Sequence, residues 1–184
     1  MKFVALLRGI NVGGKNVIKM AELKACFESI GLSDVTTFIQ SGNVLFATNE
    51  RSIAKITEKV EEGLSKCFDY NSRVVIVSHE QLKNAVKHAP SGFGRKPAKY
   101  RYDVVFLRKP LSPAEAMKSV TAKEGIDEAF AGNDVLYFSK LINKASQSRL
   151  PRLIAKPAYQ DMTIRNWKTT TKLLALMDTG SQEY

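Results

Sequence analysis

The chain has 184 residues, of which 44% are hydrophobic and 25% are charged, which is the profile of an ordinary soluble globular protein. No apolar run approaches the roughly 20 residues that span a membrane. The apolar run before Arg8 is too short for the core of a signal peptide. We therefore expect a cytoplasmic protein.

The N-terminal half predicts alternating strands and helices. In chain order, the hydrophobic spacing and turn residues predict a strand over residues 2–7, a helix over 20–30, strands over 35–40 and 44–48, a helix over 53–67 and a strand over 73–77. This β-α-β-β-α-β order is the ferredoxin-like pattern. We predict an α+β fold whose first subdomain, residues 1–90, is ferredoxin-like.

The second half begins with residues 89–99, APSGFGRKPAK, whose two Pro, two Gly and three basic residues are typical of a linker or a functional loop. A strand, a short helix and a strand pair turning at AGND follow, and two helices over 150–156 and 167–178 close the chain. We predict a second, smaller α+β subdomain over residues 91–184, packed on the first. It begins β-α-β-β like the first subdomain but ends in helices, and no sequence repeat supports a duplication.

The cysteines and histidines form no metal or catalytic motif. Cys26 and Cys67 each stand alone among apolar helical positions, which predicts two buried free thiols. His79 and His88 have no metal-ligand spacing to a cysteine, so a zinc centre or a His-based triad is poorly supported. We predict neither a metal nor a cofactor.

The charge is unevenly distributed along the chain. There are 28 Lys and Arg against 18 Asp and Glu, a net charge of +10. Residues 1–90 carry +3 and residues 91–184 carry +7, and residues 140–172 hold eight basic side chains but one acid, Asp161. This asymmetry suits a polyanionic partner such as nucleic acid. A solvated basic surface without a specific partner explains it equally well.

A glycine-rich segment, RGINVGGKN, follows the first predicted strand, and the QSGN turn follows the second. Because the first two strands of a split βαβ unit run parallel, both segments should emerge at the same edge of the sheet. Glycines allow close backbone approach, and successive N–H groups can cradle an anion. The candidate anion-binding residues at this edge are Arg8, Gly9, Asn11, Gly13, Gly14, Lys15, Asn16, Gln40, Ser41, Gly42 and Asn43.

The glycine segment allows two other interpretations. It matches G-x-x-x-x-G-K of a phosphate-binding P-loop, but Asn16 lacks the hydroxyl that holds magnesium and the predicted hairpin does not suit a parallel sheet. The sequence therefore argues against a magnesium-dependent NTPase. The second interpretation is that the glycines only shape a turn, since Asn beside Gly is common in turns.

The C-terminal segment TIRNWKTTTKLLALM predicts a helix with Asn166 or Thr163 as its N-terminal cap. A lone Trp on a helix is usually a core residue. Basic residues around an aromatic ring are, however, also what a base-stacking or phosphate-binding surface uses. The candidate ligand-binding residues here are Arg165, Asn166, Trp167 and Lys172.

Three motifs, LLRGINVGGKN with MAELK, FIQSGNVLF and MTIRNWKTTTKLL, resemble the bacterial family catalogued as domain of unknown function 1697 (DUF1697). The match runs in order from residue 3 to about residue 177. The resemblance implies a two-part α+β fold whose first part is ferredoxin-like, and it implies no activity. Both groups of candidate residues named above coincide with the signature positions of this family.

Three functions are compatible with the sequence. We favour binding of a phosphate-bearing partner, above all nucleic acid, through the glycine loop and the basic C-terminal half. The alternative is an enzyme or sensor for a small phosphorylated or carboxylated metabolite, although no acid, base or nucleophile stands out and its catalytic residues are unassigned. A protein-interaction module, marked by an exposed apolar patch, is a further alternative. The sequence does not indicate an oligomeric state.

Overall fold

The computed structural model of the chain describes residues 1–10, 17–39, 42–68 and 73–179. The chain divides into unit 1, Met1–Glu80 with Leu173–Tyr184, and unit 2, Gln81–Lys172. The sequence placed the boundary after residue 90 and all later residues in the second subdomain. The structure instead divides the chain ten residues earlier and groups the C-terminal residues with unit 1.

Unit 1 is built on a four-stranded antiparallel sheet with the strand order β2-β3-β1-β4. Its elements are β1 Lys2–Leu7, α1 Met20–Ser29, β2 Ser33–Phe38, β3 Asn43–Ala47, α2 Ile53–Phe68 and β4 Val74–Ser78. This β-α-β-β-α-β succession confirms the predicted ferredoxin-like arrangement.

The core of unit 1 forms where the two helices cover one face of the sheet. Helix α2 buries residues four positions apart, among them Ile56, Val60 and Leu64, which is the spacing of one helix face. The rings of Phe3 and Phe46 stack beneath with centroids 5.8 Å apart. Strand β1 is buried on both faces, so its sequence is a continuous apolar run rather than an alternating one.

Unit 2 has the same topology, with the strand order β6-β7-β5-β8 and antiparallel neighbours throughout. The elements that follow β4 are α3 His79–Lys87, β5 Tyr100–Leu107, α4 Pro113–Lys118, β6 Asp127–Ala131, β7 Val135–Leu141, 3-10 helices over Ile142–Gln147, Leu150–Ala155 and Pro157–Asp161, β8 Met162–Asn166 and α5 Trp167–Thr179. No helix in the described part of the chain is both long enough and apolar enough to cross a membrane.

Two elements of unit 2 differ from the sequence prediction. The sequence predicted a helix at 150–156 and no further strand, whereas the structure has a run of 3-10 helices and then β8. Pro151 and Pro157 each lie in the first turn of a 3-10 helix. Lys156 is extended, as expected for a residue that precedes a proline, so the helical segment is interrupted there. Strand β8 has only five residues and joins directly to α5. Its sequence is therefore difficult to distinguish from the helical pattern that follows.

The division into units falls within two helices. Helix α3 begins in unit 1 and continues in unit 2, whereas α5 begins in unit 2 and continues in unit 1. The end of α5 is fixed within unit 1, since Lys2 Nζ donates to the carbonyl oxygen of Met177 over 2.7 Å and His79 Nε2 lies 2.6 Å from Asp178 Oδ1. In both units the fourth strand therefore leads directly into a helix that continues into the other unit.

The two cysteines have different environments, which corrects the prediction that both are buried. Cys26 is buried between α1 and α2 and donates to the carbonyl oxygen of Gly63 over 3.5 Å, whereas Cys67 is exposed. Burial, with a smaller contribution from the neighbouring Cys67 thiol, raises the pKa of Cys26 to about 12. Cys26 therefore stays a neutral, inaccessible thiol at neutral pH.

This difference predicts selective alkylation of the native protein. Because the thiolate is the reactive form, iodoacetamide at pH 8 should modify Cys67 and leave Cys26 unmodified until the chain is denatured, as read by peptide mass spectrometry. The Cys67→Ser variant should then show almost no labelling in the folded state. Equal labelling of both cysteines in the native protein would contradict the packing of α1 against α2.

Candidate functional site

The glycine segment and the β2–β3 hairpin begin at one edge of the unit 1 sheet. Strands β1 and β2 both pair antiparallel with β3 and therefore run parallel to each other. The Leu7 N–H at the end of β1 donates to the carbonyl oxygen of Gly42 over 2.8 Å. This hydrogen bond joins the start of the glycine segment to the hairpin.

Gly42 is required by packing as well as by backbone conformation. Its φ is +75°, and a Cβ built on it would lie 2.7 Å from Ile10 Cδ1 and 2.8 Å from Leu7 Cβ. Ile10 itself is buried. Gly9 has a φ of +70°, so both segments pass this edge in the conformation that glycine favours.

The polar side chains of this edge serve different purposes. Asn43 is fully buried, and its Nδ2 donates to the carbonyl oxygen of Phe38 over 3.0 Å, so its amide closes the hairpin. Arg8 is half-buried and Gly9 is exposed at the end of β1. Within the described residues, Arg8 is thus the cation that follows β1 at this edge.

The predicted anion site falls only partly within the described residues. The residues that lie outside the described residues are Asn11, Gly13, Gly14, Lys15, Asn16, Gln40 and Ser41. The described neighbours Val17 and Ile39 are exposed apolar side chains. The anion-binding role of the segment therefore stays a prediction, built on the frame of Leu7, Gly9 and Gly42.

The C-terminal candidate residues belong to unit 2. Asn166 caps α5, because its Oδ1 accepts the Thr169 N–H over 2.7 Å. The alternative cap, Thr163, instead lies in β8. Trp167 is half-buried at the start of the helix, whereas Lys172 is exposed.

Arg165 is an interior residue of unit 2. It is 8% exposed, and its Nη1 donates to Thr163 Oγ1 and to the carbonyl oxygen of Ile164, each over 2.9 Å. Burial lowers the pKa of Arg165 to about 10, so the side chain stays charged at neutral pH. Of the predicted basic rim, the structure leaves Lys172, together with Lys168, accessible to a partner.

A cluster of aromatic rings includes Trp167, and the sequence did not predict it. Phe93 lies at its centre, with ring centroids 4.8 Å from Tyr102, 5.3 Å from Tyr137 and 5.1 Å from Trp167. Tyr137 is buried, and its hydroxyl donates to the Ala85 carbonyl oxygen over 2.6 Å. The one local signal was Phe93 standing between two glycines in a polar loop.

Gly94 shows how closely the loop approaches this cluster. Its φ is +80°, and a Cβ built on it would collide with the Trp167 indole. The segment that the sequence described as a linker or functional loop is therefore held on unit 2 by an aromatic anchor.

The charge of the molecule is concentrated in unit 2. Unit 2 contains 18 Lys and Arg against 7 Asp and Glu, a net charge of +11, whereas unit 1 contains 10 against 11, a net charge of −1. The difference in net charge between the two units is thus larger than the difference between residues 1–90 and residues 91–184.

Unit 1 also has a groove of about 570 Å³, lined by residues that include Lys2, Phe3, Asp34, Phe46 and Met177. Among the described residues that line this groove, none is a predicted site residue. Within the described residues, no three His, Cys, Asp or Glu side chains come together in a way that could hold a metal ion.

The fold and the edge geometry define the class as a two-unit α+β protein with ferredoxin-like strand order in each unit. The family described as "Protein of unknown function (DUF1697)" matches residues 1–137. The chain therefore belongs to this family, as its motifs indicated.

The solved structure of the conserved bacterial protein SP0830 from Streptococcus pneumoniae is similar to this chain, with 27% sequence identity and a TM-score of 0.83. The similarity covers 96% of this chain and 98% of that chain. None of the curated proteins compared matches the chain.

The geometry of the edge predicts that Gly42 is essential for stability. Gly42→Ala should lower the free energy of unfolding by about 2–5 kcal/mol, because the added methyl overpacks against Leu7 and Ile10 and alanine is strained at this φ. Urea denaturation followed by circular dichroism measures the change.

Gly92→Ala is the matched control. Its φ is +78° but nothing lies within 4 Å of the added Cβ, so only the backbone strain of about 1–2 kcal/mol is expected. Equal losses in the two variants would show that Gly42 is not closely packed.

Proposed function

We propose that this protein binds nucleic acid through contacts to phosphate groups. The glycine segment and the hairpin at the edge of unit 1 would form an anion pocket, and unit 2 would supply a wider basic surface. The observation that carries the proposal is the charge separation between a unit at +11 and a unit at −1. Contacts between cations and phosphates dominate the affinity of most nucleic-acid-binding proteins.

The run of 3-10 helices concentrates this charge on accessible side chains. Lys144, Arg149, Arg152 and Lys156 are all exposed, and no acid occurs in the run before Asp161. Within the described part of the chain, none of these four side chains is ion-paired with a carboxylate. They are therefore available to a polyanion.

A buried carboxylate holds this run on unit 2. Asp127 is 6% exposed, and its Oδ2 accepts the backbone N–H groups of Lys123 and Arg149 over 3.0 and 2.8 Å. Because the backbone is fixed at Arg149, the basic side chains project from an anchored segment. An anchored surface loses less conformational entropy on binding than a disordered tail does.

The edge of unit 1 supports the anion pocket in a different way. Gly9 and Gly42 have positive φ values, and backbone N–H groups in such turns can form an anion-binding nest. Arg8 contributes a positive charge at the end of β1, and Lys15 follows in the sequence. This pocket would hold one phosphate group, whereas the surface of unit 2 would contact several.

Fluorescence anisotropy of labelled single-stranded and duplex RNA and DNA tests the proposal. We expect micromolar or tighter binding at ~50 mM salt that weakens by at least ten-fold at ~200 mM, since several phosphate contacts release counterions. Absence of binding at the lower salt concentration would refute nucleic-acid binding.

Charge reversal locates the surface. The triple variant Lys144→Glu, Arg152→Glu and Lys156→Glu should weaken binding by more than ten-fold and lower the slope of log K against log salt by about three. The control reverses three exposed lysines on α2 of unit 1, Lys55, Lys59 and Lys66, with the same change of net charge. Equal losses in both variants would mean that only total charge matters.

A separate pair of variants tests the anion pocket. Lys15→Ala should remove about one phosphate contact and lower the salt slope by about one. Lys19→Ala is the control, because Lys19 is exposed, four residues further on, and pairs with Glu22 at 3.6 Å. Identical effects of the two substitutions would remove the pocket from the proposal and leave the basic surface of unit 2.

A further inference from the structure

We infer that unit 2 carries a stacking surface for single-stranded nucleic acid. This inference rests on the function proposed above and specifies which form of nucleic acid the protein prefers. We name this part of unit 2 the aromatic-basic surface, and it consists of the rings of Phe93, Tyr100, Tyr102 and Trp167 with the cations of Arg95, Lys96, Lys99 and Lys168.

The rings of this surface form a continuous series. Trp167 contacts Phe93 at 5.1 Å, Phe93 contacts Tyr102 at 4.8 Å, and Tyr102 contacts Tyr100 at 6.0 Å between centroids. All four rings are half-buried, so each is held by packing while part of it remains accessible. Unpaired bases stack on aromatic side chains of this kind.

Cations lie along the same series. Lys99 Nζ is 5.4 Å from the Tyr100 ring centroid, which is within cation–π distance. Arg95, Lys96 and Lys168 are exposed beside Phe93 and Trp167 in the sequence. Rings with a cation beside them and further exposed cations nearby in the sequence fit a strand that presents bases and phosphates in turn.

The segment that carries these groups is ordered by its own turns. The Phe93 N–H donates to Pro90 over 2.9 Å, and the Tyr100 N–H donates to Lys96 over 2.9 Å, in each case to the carbonyl oxygen. Together with the Phe93 anchor, these bonds give the cations a defined backbone position, unlike those of an unanchored linker.

The backbone of the aromatic-basic surface is also joined to the start of the basic 3-10 run. The Ile142 N–H, at the start of that run, donates to the carbonyl oxygen of Lys99 over 3.0 Å. Tyr100 and Leu141 are paired in the β5–β7 register. A strand stacked on Tyr100 could thus extend its phosphates towards Lys144. Duplex bases are already stacked and paired, so the rings favour a single strand.

Trp167 provides a direct readout, since it is the only tryptophan in the chain. We would titrate the protein with an oligouridylate of about 12 nucleotides, within the usual site size of such surfaces. The oligouridylate should quench Trp167 fluorescence, and a duplex of equal length or heparin should not. Quenching by heparin or by the duplex to the same extent would overturn the inference.

Substitutions then test the stacking itself. Tyr100→Leu should weaken oligouridylate binding roughly ten-fold, the loss expected when one base loses its stacking partner, and should leave duplex binding nearly unchanged. Phe130→Leu is the matched control, since Phe130 is a partly exposed ring of unit 2 outside the ring series. Equal affinities of the two variants for oligouridylate would overturn the inference.

A second variant keeps the test decisive if Tyr100→Leu does not fold. The pair Arg95→Ala and Lys96→Ala leaves every ring in place and should lower the salt slope for oligouridylate by about 1.4, or about 0.7 for each lost phosphate contact. An unchanged slope would overturn the inference. If no polyanion binds the wild-type protein, the proposed function fails as well. If binding occurs without any effect of these rings and cations, only the stacking surface is refuted.

Discussion

The central strand β1 must pair on both edges and bury both faces, and the rest of unit 1 follows from this requirement. Its apolar run pairs with β3 and β4, and the parallel direction of β1 and β2 brings the glycine segment and the hairpin to one edge. The Leu7–Gly42 hydrogen bond then joins them.

Strand β5 has the same central place in unit 2, but only its second half is fully buried. Its first half carries Tyr100 and Tyr102 next to the loop that Phe93 anchors. The same topology therefore supports the glycine segment and hairpin in unit 1 and the aromatic-basic surface in unit 2.

The two units differ most in the connection before the fourth strand. Unit 1 uses the amphipathic helix α2, whose apolar face completes the core. Unit 2 uses three 3-10 helices interrupted by prolines, which bury only Leu150 and Leu153 of the run and expose four cations. The same position in the strand order thus serves stability in unit 1 and carries accessible charge in unit 2. The 3-10 run carries a net charge of +3, whereas α2 has three lysines against three glutamates and is neutral, so this connection contributes part of the charge separation on which the proposed function rests.

Much of unit 1 could be predicted from the sequence, because its strands are apolar runs and its helices have regular hydrophobic spacing. Strand β8 could not, since its hydrogen bonds go to β5, some sixty residues earlier. Burial of Arg165 and exposure of Cys67 depend on tertiary packing that local composition does not reveal. The aromatic cluster joins residues 93, 102, 137 and 167, so no sequence window contains it. The predicted meeting of the glycine segment and the hairpin needed only strand direction, and the described residues at that edge do lie together.

Photocrosslinking would test most directly the claim that unit 2 carries the nucleic-acid surface. A single-stranded RNA containing 4-thiouridine would be bound at ~50 mM salt, where phosphate contacts are strong, irradiated, and the crosslinked peptides identified by mass spectrometry. We expect crosslinks within residues 93–102, at Trp167 and within the 3-10 run at residues 142–156. Crosslinks confined to α1 and α2 of unit 1, or no crosslinks at all, would contradict this claim.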